Sequence, residues 1–201
     1  MTTFGSAGEK ISSGGDLKSL RGPSRQEKLA DAFDRVELSD LVVKTDTDKE
    51  FMVDSLFLCA QSPVFDVMLE HDFKEKTERA ITIKMAPDEQ VEALLLFLYS
   101  AELTGSDTFA AELLPLAVQY EVAGLISLCV DAFIRSLTVA NIFEKIETIE
   151  MFPQLEDLRK RTLAFVASNK LYIRKAHSQA TMKEFFCKHA EVLFDMWESG
   201  W

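Results

Sequence analysis

Three histidines, three cysteines and a surplus of carboxylates are the residues of this chain whose types could do chemistry. A nucleophilic catalyst needs a Ser, Cys or Lys beside a base, with a third group orienting that base. His71, His177 and His189 stand far apart, and none falls in such a pattern. His71 lies in a charged stretch read as a loop, and His189 on the polar side of the last helix, so both are expected to be solvated. Cys59, Cys129 and Cys187 are odd in number and widely spaced, which fits reduced thiols and not a disulfide framework or zinc site. Cys59 and Cys129 sit in apolar helical patterns and are expected as small buried hydrophobes. Gly14-Gly15 is a lone pair without a phosphate-binding loop or dinucleotide fingerprint. No His-x-x-x-His or carboxylate cluster suggests a metal, and no cofactor is expected. The chemistry left is recognition. Phe73 is a large aromatic among His71, Asp72, Lys74 and Glu75, and Asp40 and Asp54 are acids beside apolar strands.

The elements that must position these residues are readable from period and punctuation. Phe51 and Val53 alternate with Met52 and Asp54 as a short strand, and Ser39–Thr45 is its hairpin partner across Asp46-Thr47-Asp48-Lys49. From Leu56 the period becomes helical, with Cys59 and Ala60 on the same stripe. Ser62-Pro63 ends that helix and starts another, since proline suits a first helical turn and disfavours helix just before it. Upstream, Ser24 and Glu27 form a capping box, and Leu29, Ala32, Phe33 and Val36 recur at helical spacing behind it. Arg79–Lys84 reads as a third strand. Pro87, Asp88 and Glu89 then open a helix apolar nearly all round (Val91, Leu94, Leu95, Leu98, Tyr99), which belongs in the core. Phe109–Val122 and Leu125–Leu137 read as two helices joined at Ala123-Gly124, with Gly124 as a stop. Thr138 can cap a helix bearing Val139, Ile142, Phe143, Ile146 and Ile149, and Phe152-Pro153 interrupts it. Leu155 to about Asn169, and Met182–Trp197 with Leu193 and Phe194, complete the list. Residues 1–23, rich in Gly, Ser and Thr, are expected to be a disordered tail.

The order of strand, helical hairpin with Ser-Pro at its corner, and Phe73-Lys74-Glu75 resembles the BTB/POZ domain, a protein-interaction fold. The resemblance extends to Ser39-Asp40-Leu41-Val42-Val43, Ile81-Thr82-Ile83, Leu94–Leu103 and Leu113–Cys129. It implies an α+β fold with a short sheet and a helical shell over 24–136, followed by a helical extension, 137–201, like the start of a BACK region. It also implies a homodimer in which Leu29, Ala32, Phe33, Leu56 and Cys59 face the partner subunit; the residue pattern alone allows the first helix to pack on its own domain. The family places an aspartate, here Asp40, at the base of a groove between subunits, with a His or basic residue opposite. This chain has Asp54-Ser55 there, so Asp54 is either a second groove acid or the cap of the next helix. Phe73 and Glu75, flanked by His71 and Asp72, match the motif with which BTB adaptors hold a cullin-3 ubiquitin-ligase scaffold. A non-enzymatic, dimeric ligase adaptor for an unidentified client is the expectation. The alternative is an oligomerisation scaffold or transcription-associated module that never meets a ligase.

Composition narrows the classes further. The chain is 47% hydrophobic and 10% aromatic, enough for a sizeable core in 201 residues. Its net charge of -11 argues against a sequence-independent grip on nucleic acid. Residues 1–28 are net positive, so the rest is more acidic still and steers toward basic partner surfaces. The longest apolar run, Ala93–Tyr99, is too short to span a bilayer, and the first residues lack an apolar signal core, so no membrane partner is expected. A cytosolic or nuclear location is the corresponding expectation.

Overall fold

The computed structural model describes residues 23–70 and 74–190. Ser24 caps the first helix, α1 (Arg25–Ala30), in both directions: its Oγ accepts the Glu27 N–H at 3.1 Å, and its own N–H donates to the Glu27 carboxylate at 2.5 Å. The helix stops sooner than the spacing through Val36 predicts. Asp34 turns left-handed, with φ 57°, and its carboxylate accepts the Met52 N–H at 2.9 Å. That turn carries Val36 into a 3-10 segment, Val36–Leu38, where it is 66% exposed.

The sheet has three strands in the order β2-β1-β3. β1 (Leu41–Lys44) and β2 (Glu50–Val53) are antiparallel, with Leu41 opposite Val53 and Val43 opposite Phe51, all four buried. β3 (Ala80–Thr82) runs parallel to β1 on its other edge. These strands are shorter than the predicted 39–45 and 79–84. β1 ends where Thr45 turns to bond Lys49, at 3.0 Å, and β3 loses its partner there.

After β2 the chain folds back as α2 (Ser55–Gln61) and α3 (Pro63–Glu70). Ser62 is their pivot. Its N–H closes α2 on Leu58 O at 3.0 Å, and its Oγ accepts the Phe65 N–H at 3.2 Å to open α3. The same hydroxyl donates to Tyr120 O at 2.5 Å, and the Phe65 ring stacks on Tyr120 with centroids 4.4 Å apart. A short α4 (Lys74–Glu78) leads into β3.

α5 (Asp88–Ser100) is the core helix, burying Val91, Leu94, Leu95, Phe97, Leu98 and Tyr99. Asp88 and Glu89 occupy its positive first turn. Thr47 Oγ1 donates to the Asp88 carboxylate at 2.7 and 2.9 Å, tying the hairpin tip to the helix. The predicted helix 109–122 is two, α6 (Asp107–Glu112) and α7 (Leu114–Gln119), because Pro115 has no N–H to continue the ladder across Leu113. Gly124 is not a stop. Glu121 makes the turn with φ 51°, and Gly124 lies in the first turn of α8 (Ala123–Arg135). A Cβ at Gly124 would stand 3.3 Å from the Phe97 ring, so its hydrogen lets α8 lie close on α5.

Three more helices extend the same core: α9 (Ile142–Glu150), α10 (Glu156–Ala176) and α11 (Gln179–Lys188). Ile142, Phe143, Ile146 and Ile149 are buried, and Phe143 stacks on Phe185 at 4.4 Å. Arg161 bonds Asp131 at 2.7 Å, joining α10 to α8. α10 continues past Asn169 to Ala176, since the Asn169 amide donates to Phe165 O at 2.9 Å inside the helix instead of ending it. Ser178 caps α11, accepting the Thr181 N–H at 3.1 Å. Leu193, Phe194 and Trp197 lie outside the described residues, as do residues 1–22.

Candidate interaction surfaces

The recognition motif expected from sequence falls between the end of α3 and the first turn of α4 in chain order. Glu75 stands half-buried in the first turn of α4. Phe73, His71 and Asp72 lie outside the described residues.

Asp40 and Asp54 both bond the first turn of α2, by different routes. Asp54 caps it, accepting the Leu56 N–H at 2.9 Å, and its own N–H donates to Tyr99 OH at 2.6 Å. Asp40 accepts the Ser55 N–H at 2.7 Å and the Ser55 hydroxyl at 2.8 Å. Its cationic partner is Arg79, 3.2 Å away. Sequence reasoning missed Arg79 because the pairing depends on parallel register: Val42 lies beside Ala80, so the residue before β3 reaches the start of β1. Both side chains are about half exposed, so the pair contributes no more than about 1 kcal/mol. The acid at 54 is a helix cap in this arrangement, and the basic group beside Asp40 comes from the chain before β3.

Phe33 turns toward its own domain, its ring 6.0 Å from Phe51 and 5.6 Å from Tyr99. Leu29 and Ala32 beside it, and Cys59 on α2, are only partly covered, while Leu56 is 67% exposed. These residues flank α5, against which both α1 and α2 pack.

One histidine differs from expectation. His189 is buried, not solvated: its Nδ1 lies 2.5 Å from Glu150 and its Nε2 3.2 Å from Glu147, and its ring stacks on Phe185. Both nitrogens face carboxylates of α9, so neither is offered to a substrate. His177 Nε2 lies 2.7 Å from Val139 O. Cys129 is fully buried, and desolvation pushes its thiol up to about 12, while burial also raises Cys59. Neither is an activated thiolate. Among the described residues no group of three or more His, Cys, Asp or Glu is placed to hold a metal ion. No described helix is long and apolar enough to cross a membrane.

The described residues form a small three-stranded sheet that carries a helical hairpin and is wrapped by helices. A family profile described as "BTB/POZ domain" matches residues 29–137, more than half the chain. The chain belongs to the BTB/POZ family, whose domains commonly dimerise and bind partner proteins. It is 28% identical over 152 residues to the Mus musculus "TD and POZ domain-containing protein 1-like", and 27% identical to "TD and POZ domain-containing protein 1" of the same organism. Each match covers 75% of this chain but only 40% of the relative, so the chain corresponds to well under half of those proteins. Among solved structures it is similar to the "BTB domain of zebrafish PATZ1", with 15% identity and a TM-score of 0.42, covering 49% of this chain and 77% of that one.

Proposed function

We propose that this chain is a dimeric adaptor that presents a client protein to a cullin-3-type ubiquitin ligase. The observation that carries the reading is Phe73-Lys74-Glu75 directly after α3 of a BTB/POZ domain. In this reading Glu75, half-buried at the start of a five-residue helix, pairs with a donor on the scaffold, and Phe73 is the apolar anchor. Supporting it, α10 packs on both α8 and α9, where a BACK-like extension would begin. Dimerisation would cover the exposed Leu56 together with the partly covered Leu29 and Ala32.

Calorimetry with a purified cullin N-terminal domain tests the proposal. Truncating a central aromatic anchor typically costs ~2 kcal/mol or more, about 30-fold in affinity. Phe73→Ala should therefore remove measurable binding while the melting temperature stays put, and light scattering should return twice the chain mass. Absence of wild-type binding at tens of micromolar, with the dimer intact, would leave the oligomerisation-scaffold reading in its place. That second reading is favoured by the exposure of Leu56 alone.

A further inference from the structure

A groove of about 270 Å3 runs along the solvent side of α5, at the turn into α6. Its floor is apolar, made by half-buried Ala93, Leu96, Leu103 and Phe109. Its rim is acidic, with Glu89, Glu92 and Glu102. Glu92 is paired with Lys49 at 2.8 Å, whereas Glu89 and Glu102 make no ion pair among the described residues. No lysine or arginine lines the groove.

The groove is held open by its own backbone. Ala101 ends α5 left-handed, at φ 55°, with its N–H on Phe97 O at 2.8 Å. Ser100 Oγ accepts the Glu102 N–H at 3.2 Å and donates to Leu96 O at 2.9 Å. Gly105 then turns with φ 127°, and a Cβ there would stand 3.0 Å from the Phe109 ring. Only glycine brings the loop this close to that ring without strain. A preformed apolar slot costs little ordering on binding. Its volume falls below the ~300–1,000 Å3 of small-molecule sites, so it suits a side-chain anchor better than a metabolite.

The geometry points to this groove as a docking site for a partner-protein segment that carries one aliphatic side chain flanked by Lys or Arg. The aliphatic group fills the floor between Leu96 and Phe109, and the flanking cations meet Glu89 and Glu102. One wall joins the hairpin through Glu92 and Lys49, at the end of the sheet away from Arg79 and α4. The site therefore stands apart from α4 and its Glu75.

Fluorescence anisotropy on the full chain tests this, using a labelled peptide with one leucine between two pairs of lysines. Saturable binding is expected, weakening as salt shortens the ~10 Å screening length of 0.1 M solution. E89K/E102K should weaken it about tenfold or more, a loss of ~1.4 kcal/mol. A charge-matched reversal at Glu37 and Glu156, exposed residues that do not line the groove, should leave it within about twofold. Gly105→Ala, which changes no charge, should also weaken it by crowding Phe109. The proposal is overturned if a peptide with serine for leucine binds equally well, if E37K/E156K weakens binding as much as E89K/E102K, or if the wild type binds no peptide at roughly millimolar concentration. Melting curves of each variant show that the fold is intact.

Discussion

Ser62 carries three connections in one buried side chain and neighbouring amide, so its hydroxyl is a measurable keystone. Ser62→Ala keeps nearly the same volume and opens no cavity at a site that is 1% exposed. It leaves two groups without their partner: the Phe65 N–H at the start of α3, and the carbonyl of Tyr120 at the end of α7. Loss of a helix cap costs about 1 kcal/mol. A buried carbonyl stripped of its donor costs about 1–3 kcal/mol. Together the substitution should destabilise the chain by about 2–4 kcal/mol, a large fraction of the ~5–15 kcal/mol a folded protein holds. At ~2–4 °C per kcal/mol for a chain of this size, the midpoint should fall by about 4–16 °C. Differential scanning calorimetry reads the shift directly, and urea unfolding with an unchanged slope would show that stability, not compactness, had altered. A fall below about 1 °C would refute the reasoning: the α2–α3 hairpin would then be docked by the Phe65–Tyr120 stack alone.

Two further outcomes follow from the geometry. Asp54→Ala should cost about 1 kcal/mol through loss of the α2 cap, while Asp54→Asn should be nearly neutral because asparagine caps equally well; a gain near 1 kcal/mol for Asn, read by urea unfolding, would mean that repulsion from Asp40 outweighs the cap. Glu147 has its carboxyl held below the ordinary 4.5 by hydrogen bonds from Lys188 and then His189, so its hold on α11 is complete above that value and is lost as pH falls through the lower folded one. Amide exchange by mass spectrometry should show α11 protection dropping on acidification below about pH 4.5, and Glu147→Gln should lack that step; an identical acid loss in the variant would assign it elsewhere.

What was legible in the sequence was what neighbouring residues decide among themselves. The alternation at Phe51 and Val53, the capping box at Ser24 and Glu27, and the Ser62-Pro63 corner each depend on groups a few positions apart, and each appears as read. The misreadings come from tertiary closeness. Gly124 carries a stop signal, yet its missing side chain serves the approach of α8 to Phe97. His189 sits where helical spacing points to solvent, but α9 brings two carboxylates over it and buries the ring. Val36 fits the stripe of α1 and leaves it because Asp34 is taken by the backbone of β2.

The recognition surfaces divide along the same line. The Phe73-Lys74-Glu75 tripeptide is contiguous, so it could be seen at once, whereas the acidic groove joins α5 to a loop thirteen or more residues beyond Glu89 and has no contiguous signature. Asp40 shows why contiguity misleads. Reading outward from Asp40 and the end of β2 gave two acids and an apparent conflict of charge. The parallel pairing of β1 with β3 instead delivers Arg79 from thirty-nine positions away, with Ser55 supplying both an amide and a hydroxyl to the same carboxylate. That carboxylate is met by three donors, the Ser55 amide, the Ser55 hydroxyl and the Arg79 guanidinium. Asp40 is thus paired within its own chain, and a partner docking there meets a hydrogen-bonded, ion-paired acid at that position.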